Sequence, residues 1–163
     1  MRTARTTDID AAAAEWIGRV QPLCPEEVLA ACPFAPPRNE FAGRAAGLGG
    51  RLAGGLIGGF LAHRAERALN SHATGGLPPS FVLAITPTHV RAYESSYRPR
   101  GAVEMGGEVA AWERRSLHVT RVHRGSGGLK TNVELQLPDG RTVMVTTGTH
   151  EYTDRFIAQL QGG

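Results

Sequence analysis

Hydrophobic and polar positions alternate most clearly in the second half of the chain. Ser80-Phe81-Val82-Leu83-Ala84-Ile85-Thr86 puts Phe81, Leu83 and Ile85 on one side of a strand by the period of two. Thr86-Pro87-Thr88 breaks the run, because proline has no N–H to give to a ladder. His89 to Glu94 resumes it, with Val90 and Ala92 on one face and Arg91 and Tyr93 toward solvent, and the two runs predict a hairpin. Ser95 to Gly107 is rich in Arg, Ser, Pro and Gly and predicts a loop. Val109 to Arg115 carries Trp112, and Leu117, Val119 and Val122 mark a further strand. From Thr131 to Leu137 the alternation is clean, with Val133, Leu135 and Leu137 inward and Asn132, Glu134 and Gln136 outward. Leu137-Pro138-Asp139-Gly140 is the sharpest turn signal: proline presets φ, aspartate favours the next position, and glycine accepts φ > 0. Val143 and Val145 complete that hairpin.

The end of the chain changes period. Thr149 is placed to cap a helix, Glu151 sits in its first turn, and Tyr152, Phe156 and Leu160 form one stripe with Ile157 beside it. Gly162-Gly163 stops it. The expected class is α+β: an antiparallel curved sheet or partial barrel over 77–163, closed by one C-terminal helix. In front of it, Asp8 to Val20 reads as a helix with Ala13, Trp16, Ile17 and Val20 on one face. Pro25 to Ala31 reads as a second, short helix, and Cys32 to Arg38 as a stiff Pro-rich linker. The division is 1–38 for these helices and linker, 39–76 for a glycine-rich segment, and 77–163 for the sheet domain.

The glycine-rich segment has a pattern of its own. Gly43, Gly47, Gly50, Gly54 and Gly58 share one face of a helix, and Leu48, Leu52, Leu56 and Phe60 share another. Such a glycine zipper lets one backbone approach another closely. Each interior glycine costs about 1 kcal/mol against alanine, so an isolated helix here is not expected in water. Three outcomes follow: a flexible linker, a helix packed on a partner or on itself, or a helix that uses a membrane as its partner. Arg44 and Arg51 leave only Leu52 to Ala62 uninterrupted, short of the ~20 residues a span requires. Peripheral or re-entrant association is the form membrane attachment would take.

Composition changes the picture in two places. The net charge is +3 and the pI 9.3, but Lys130 is the only lysine. Arginine dominance with abundant Ala and Gly reflects base composition, and without a Lys/Arg run or a basic patch interleaved with aromatics no nucleic-acid partner is expected. Cys24 and Cys32, eight residues apart on one helix, would lie about 12 Å apart along its axis and are read as plain thiols. Met1 to Arg5 leads into acidic, alanine-rich sequence without a signal-type apolar run, so the expected location is cytoplasmic, at most peripheral to the inner face of the membrane.

No catalytic residue, cofactor site or metal site is expected. His63, His72, His89, His118, His123 and His150 lack metal-ligand spacing, and His118 and His123 fall on opposite faces if their strand is regular. Gly125-Ser126-Gly127 lacks the strand-turn-helix of a nucleophile elbow. Arg98, Arg100, Arg114 and Arg115 are close in sequence and would form an anion-binding patch if they converged at one end of the sheet.

Consecutive hairpins with a final helix are similar to the bacterial pleckstrin-homology-like domains. The stretch Leu77-Pro78-Pro79-Ser80-Phe81-Val82-Leu83-Ala84-Ile85-Thr86-Pro87-Thr88-His89-Val90, the Trp112-Glu113-Arg114 step and the Leu137-Pro138-Asp139-Gly140-Arg141 turn also resemble a group of small actinobacterial proteins. The resemblance covers the second half of the chain and implies a non-catalytic module. It does not carry phosphoinositide binding with it: the first hairpin turn is short and has no lysine, and the closing helix has no tryptophan. The expected function is binding or scaffolding, with the glycine-rich helix giving self-association, a protein contact or attachment to a membrane surface. Alternatives are a small enzyme with a pocket at the open end of the sheet, needing two or more of His89, His118, His123 and Glu113 around one cavity, and a purely structural protein.

Overall fold

The computed structural model describes residues 2–35, 76–98, 102–125, 130–148 and 151–162, with side chains from Ile9 onward. A helix α1 (Arg2–Val20) leads through a 3-10 turn at Gln21–Leu23 into strand β1 (Ala30–Phe34). After the stretch 36–75 come β2 (Phe81–Ile85), β3 (His89–Tyr97), β4 (Val103–Glu113), a 3-10 turn at Arg114–Ser116, β5 (His118–Arg124), β6 (Lys130–Gln136), β7 (Thr142–Gly148) and helix α2 (Glu151–Gln161). The strands form two antiparallel sheets in the orders β1-β2-β3-β4 and β5-β6-β7, so the α+β class stands and the described strands do not close into a barrel.

β1 joins the sheets. It pairs with β2 from Ala30 opposite Ile85 to Phe34 opposite Phe81. Ala35 then turns its amide and carbonyl to Thr146 of β7, at 2.8 and 2.7 Å. Backbone N–H groups two residues apart on a strand share a side, so the Pro33 nitrogen also faces away from β2, where no ladder bond is lost. Between the sheets lies the main core. Phe34 stacks on Phe81 at 6.2 Å and meets Phe156 of α2 at 5.6 Å, surrounded by Leu83, Ile85, Val133, Leu135, Val143, Val145 and Leu160. The expected stripe of α2 is borne out, with Tyr152 half-buried and Phe156, Ile157 and Leu160 buried.

A second core lies on the outer face of the first sheet. Val82, Ala84 and Tyr93 are covered there by Val20, Cys24, Val28 and Ala31, with Trp16, Ile17 and Met105 against them. The front of the chain is thus built into the sheet domain, and several expectations are corrected. Residues 25–31 do not form a second helix: Ala30 and Ala31 start β1, because β2 has an open edge to fill and Pro33 cannot continue a helix. The loop expected over 95–107 holds the end of β3 and the start of β4, paired from Ser95 opposite Met105 to Tyr97 opposite Val103. Tyr93 is 1% exposed rather than solvent-facing, because α1 and its following segment cover that face. Cys24 and Cys32 are both buried and free, one in each core, with Cys32 in β1 and not on a shared helix. Burial pushes the Cys32 thiol up to about 11.

The 137–140 turn forms as expected. Gly140 takes φ 82°, its amide donates to Leu137 O at 2.9 Å, and the Leu137 amide donates to Arg141 O at 2.8 Å. The five glycines of the zipper and the cap at Thr149 lie outside the described residues.

A chain starting at Leu77 would lack α1 and β1 and uncover both Val82 and Tyr93 on one face and the edge of β2. It is expected to show no cooperative urea transition in tryptophan fluorescence. In the full chain, Phe156→Ala should keep a cooperative transition but lose roughly 3–5 kcal/mol, the usual cost of a buried Phe→Ala change.

Candidate functional site

The β2–β3 connection is a tight turn closed by Thr86. Its amide donates to His89 O at 2.8 Å, and the His89 amide donates to Thr86 Oγ1 at 2.9 Å. Proline at 87 sets the φ this turn needs. β4 ends beside it, and the Arg114 amide donates to Thr88 O at 2.9 Å. Pro87, Thr88 and His89 on one side, and Glu113, Arg114 and Arg115 on the other, line an open cleft of about 460 Å³.

Beneath this turn runs a charged network. Glu26, in the segment between α1 and β1, accepts from Thr86 Oγ1 at 3.0 Å, from the Thr88 hydroxyl, and from Arg91 Nη2 at 2.7 Å. Its Oε1 also lies 3.2 Å from His89 Nδ1. The other arm of Arg91 donates to Glu108 of β4 at 2.7 Å, and Tyr93 OH donates to the same oxygen at 3.4 Å. Hydrogen bonds from Thr88, then from Arg91, hold the Glu26 carboxyl down from 4.5 to about 2, against the opposing effect of burial. Arg91 is pushed up in turn by its bonds to Glu26 and Glu108.

The network fixes what His89 can do. Thr88 Oγ1 lies 2.6 Å from Nδ1, and Glu26 approaches the same nitrogen. Glu26 only accepts, and the single hydroxyl hydrogen of Thr88 goes to Glu26. The Nδ1 hydrogen must therefore reside on the ring. A nucleophile–histidine–carboxylate relay needs the nucleophile and the carboxylate on opposite nitrogens. Here both meet Nδ1, so this is a structural clamp between the front of the chain and the β2–β3 turn.

Arg98 does not converge with Arg114 and Arg115. Arg98 closes the opposite end of the β3–β4 hairpin, its amide donating to Ala102 O at 2.8 Å and its guanidinium paired with Glu104 at 2.7 Å. From His89 to Tyr97 the strand runs roughly 25 Å, which separates Arg98 from Arg114 and Arg115. Closeness in sequence fails here because an eleven-residue strand, β4, lies between them. Arg100 lies outside the described residues. Arg114 and Arg115 do share the cleft, with different duties. Arg114 donates through Nη2 to Gln159 O at 2.8 Å, capping the last turn of α2 where a cation suits the helix dipole. Its Nε is buried with no hydrogen-bond partner among the described residues. Arg115 is exposed and is bonded to no described residue.

His89 and Glu113 meet at the cleft, but no hydrogen bond joins them among the described residues. His118 and His123 are remote, on β5. A bulge between Val119 and Arg121 shifts the strand by one, so both histidines fall on the outer face, opposite Gln136 and Asn132, and not on opposite faces. Among the described residues no three of His, Cys, Asp and Glu are grouped to hold a metal ion, and no helix is long and apolar enough to cross a membrane.

Two measurements probe these duties. Because the carboxyl of Glu26 is held below its free value, its contribution to stability is complete above about pH 4.5 and is lost as the pH falls toward 2. Glu26→Gln should lower the urea midpoint at neutral pH and flatten its fall over that acid range. Arg114→Ala should cost about 1–3 kcal/mol by freeing the end of α2, while Arg115→Ala should stay within about 0.5 kcal/mol.

No protein-family model, no curated protein and no solved structure matches this chain.

Proposed function

We propose that the chain is a non-catalytic binding and scaffolding module of pleckstrin-homology-like architecture, with its two ends doing different work. A four-stranded and a three-stranded antiparallel meander, with a C-terminal helix packed between them, support the architectural part. One observation carries the functional part. Phe34 and Phe81 face each other across the antiparallel β1–β2 pair, so 36–75 is inserted between neighbouring strands and both its roots lie at one end of the sheet. Arg98 lies at that same end, and the cleft of His89, Glu113 and Arg115 lies at the other.

The insertion end localises the module, through self-association or attachment to a membrane surface by the Gly43–Gly58 face. The cleft end binds a partner. A domain that offers an insertion from a rigid hairpin holds it at a fixed distance from its own binding surface, which gives a bivalent device its effective concentration.

The deciding experiment excises 36–75 and joins β1 to β2 by a short glycine-containing turn, leaving both cores intact. The full chain is expected to co-sediment with anionic vesicles or to be oligomeric by light scattering, and the excised chain to be a soluble monomer. Gly54→Leu with Gly58→Leu in the full chain should have the same effect as excision. Identical behaviour of all three proteins would end the localising reading.

A further inference from the structure

The cleft end rests on the same module reading, but it can be examined without the inserted segment. Arg19, Arg91, Arg98, Arg124, Arg141 and Arg155 all pair with carboxylates among the described residues. Arg121, opposite Glu134 on β6, forms no such ion pair, and at the cleft the pattern changes as well. Glu113 and Arg115 are two residues apart, both exposed, and neither pairs with the other or with any described side chain. The cause is local: Glu113 leaves β4 in extended geometry, φ −57° and ψ 131°, and the chain then tightens into the 3-10 turn. The cleft is also lined by Arg114, whose Nε is buried, and by His89, whose Nδ1 is committed to Thr88 and Glu26.

From this arrangement we infer that the cleft is a recognition site for a mixed-charge peptide segment of a partner protein. A carboxylate of that segment meets Arg115, and a cationic side chain beside it meets Glu113. A volume of about 460 Å³ suits a few residues. Planar guanidinium favours a carboxylate or a phosphate alike. Glu113 decides between them, because an exposed anion on the cleft wall disfavours a dianionic group and favours a ligand carrying its own positive charge. Pro87 supplies an apolar, preset wall against which an extended backbone can lie.

The test follows backbone amide shifts in the 36–75 excised chain, or in the full chain if that variant does not fold. Four probes are titrated: acetyl-Asp-Gly-Lys-amide, acetyl-Asp-Gly-Gly-amide, acetyl-Gly-Gly-Lys-amide and inorganic phosphate. The mixed-charge peptide should shift the amides of Thr88, His89 and Arg115 and bind at least about fivefold tighter than either singly charged peptide. Arg115→Ala should remove the advantage of Asp, and Glu113→Gln the advantage of Lys, with urea midpoints unchanged. Equal affinity for the three peptides overturns the inference. So does tighter binding of phosphate, which would make this an oxyanion site, or the absence of shifts at ~10 mM probe. Shifts that depend on protein concentration without probe would place a second copy of the chain in the cleft and also overturn it. Vesicle co-sedimentation by the excised chain, abolished by Arg115→Ala, would assign the cleft to a membrane surface instead.

Discussion

Strand β2 cannot be left uncovered on either face. All five of its residues, Phe81 to Ile85, are fully buried, so the chain must supply two apolar surfaces and two paired edges around one short strand. The second sheet and α2 supply the inner surface, through Phe156, Leu135 and the valines of β6 and β7. The segment from Trp16 to Ala31 supplies the outer one. β1 and β3 fill the edges. Burying a large aliphatic or aromatic side chain is worth about 1.5–3 kcal/mol, so this strand ties the position of every other element to its own.

That double burial was visible in the residues and is the point at which a simple reading of alternation stops short. Phe81-Val82-Leu83-Ala84-Ile85 is apolar at every position, which is how a strand covered on both sides is written, whereas β6 alternates because its outer face meets solvent. Taken with period two, the same run accounts for Phe81, Leu83 and Ile85 and leaves Val82 and Ala84 without a partner; α1 is that partner. The hairpins of the second half, the 137–140 turn and the stripe of α2 were legible because each rests on local chemistry. β1 was not, since its Pro25-Glu26-Glu27 approach carries the marks of a helix start and only the empty edge of β2, far along the chain, makes residues 30–34 a strand. Bulges beside Tyr93 and at Val119 displace the alternation by one; the first lies opposite Gly106-Gly107 of β4, a glycine pair that marks it, whereas nothing in the residues around Val119 marks the second. The Glu26–Arg91–Glu108 clamp was missed for the same reason: its members are 65 and 17 residues apart and meet on the face that α1 helps to cover.

The charges of this protein therefore divide by what they are near. Arg91 sits between two carboxylates with its side chain 14% exposed, and it fastens the front of the chain to the sheet. Arg114 holds the end of α2. Arg98, though exposed, is matched by Glu104 on the next strand. Among the described residues, opposite charges stand side by side without an ion pair where β4 breaks into a 3-10 turn, at Glu113 and Arg115, and across β5 and β6, at Arg121 and Glu134; both places are concave. Strand geometry, rather than abundance of arginine, selects which cations face a partner.

The place of the 36–75 insertion also bears on how the molecule assembles. β2 and β3 are joined by three residues, whereas Phe34 and Phe81 must meet across 46. Closing the longer loop costs about 2 kcal/mol more in chain entropy. The β2–β3–β4 meander and the β5–β6–β7 sheet can thus form from neighbouring contacts, with β1 and α1 arriving late against a surface already made. Until they arrive, the edge of β2 and the apolar outer face of Val82 and Ala84 stand open. During synthesis α1 and β1 emerge before the strand they cover, so the apolar face of Trp16, Ile17 and Val20 has to wait for β2 to be made 46 residues after β1 ends.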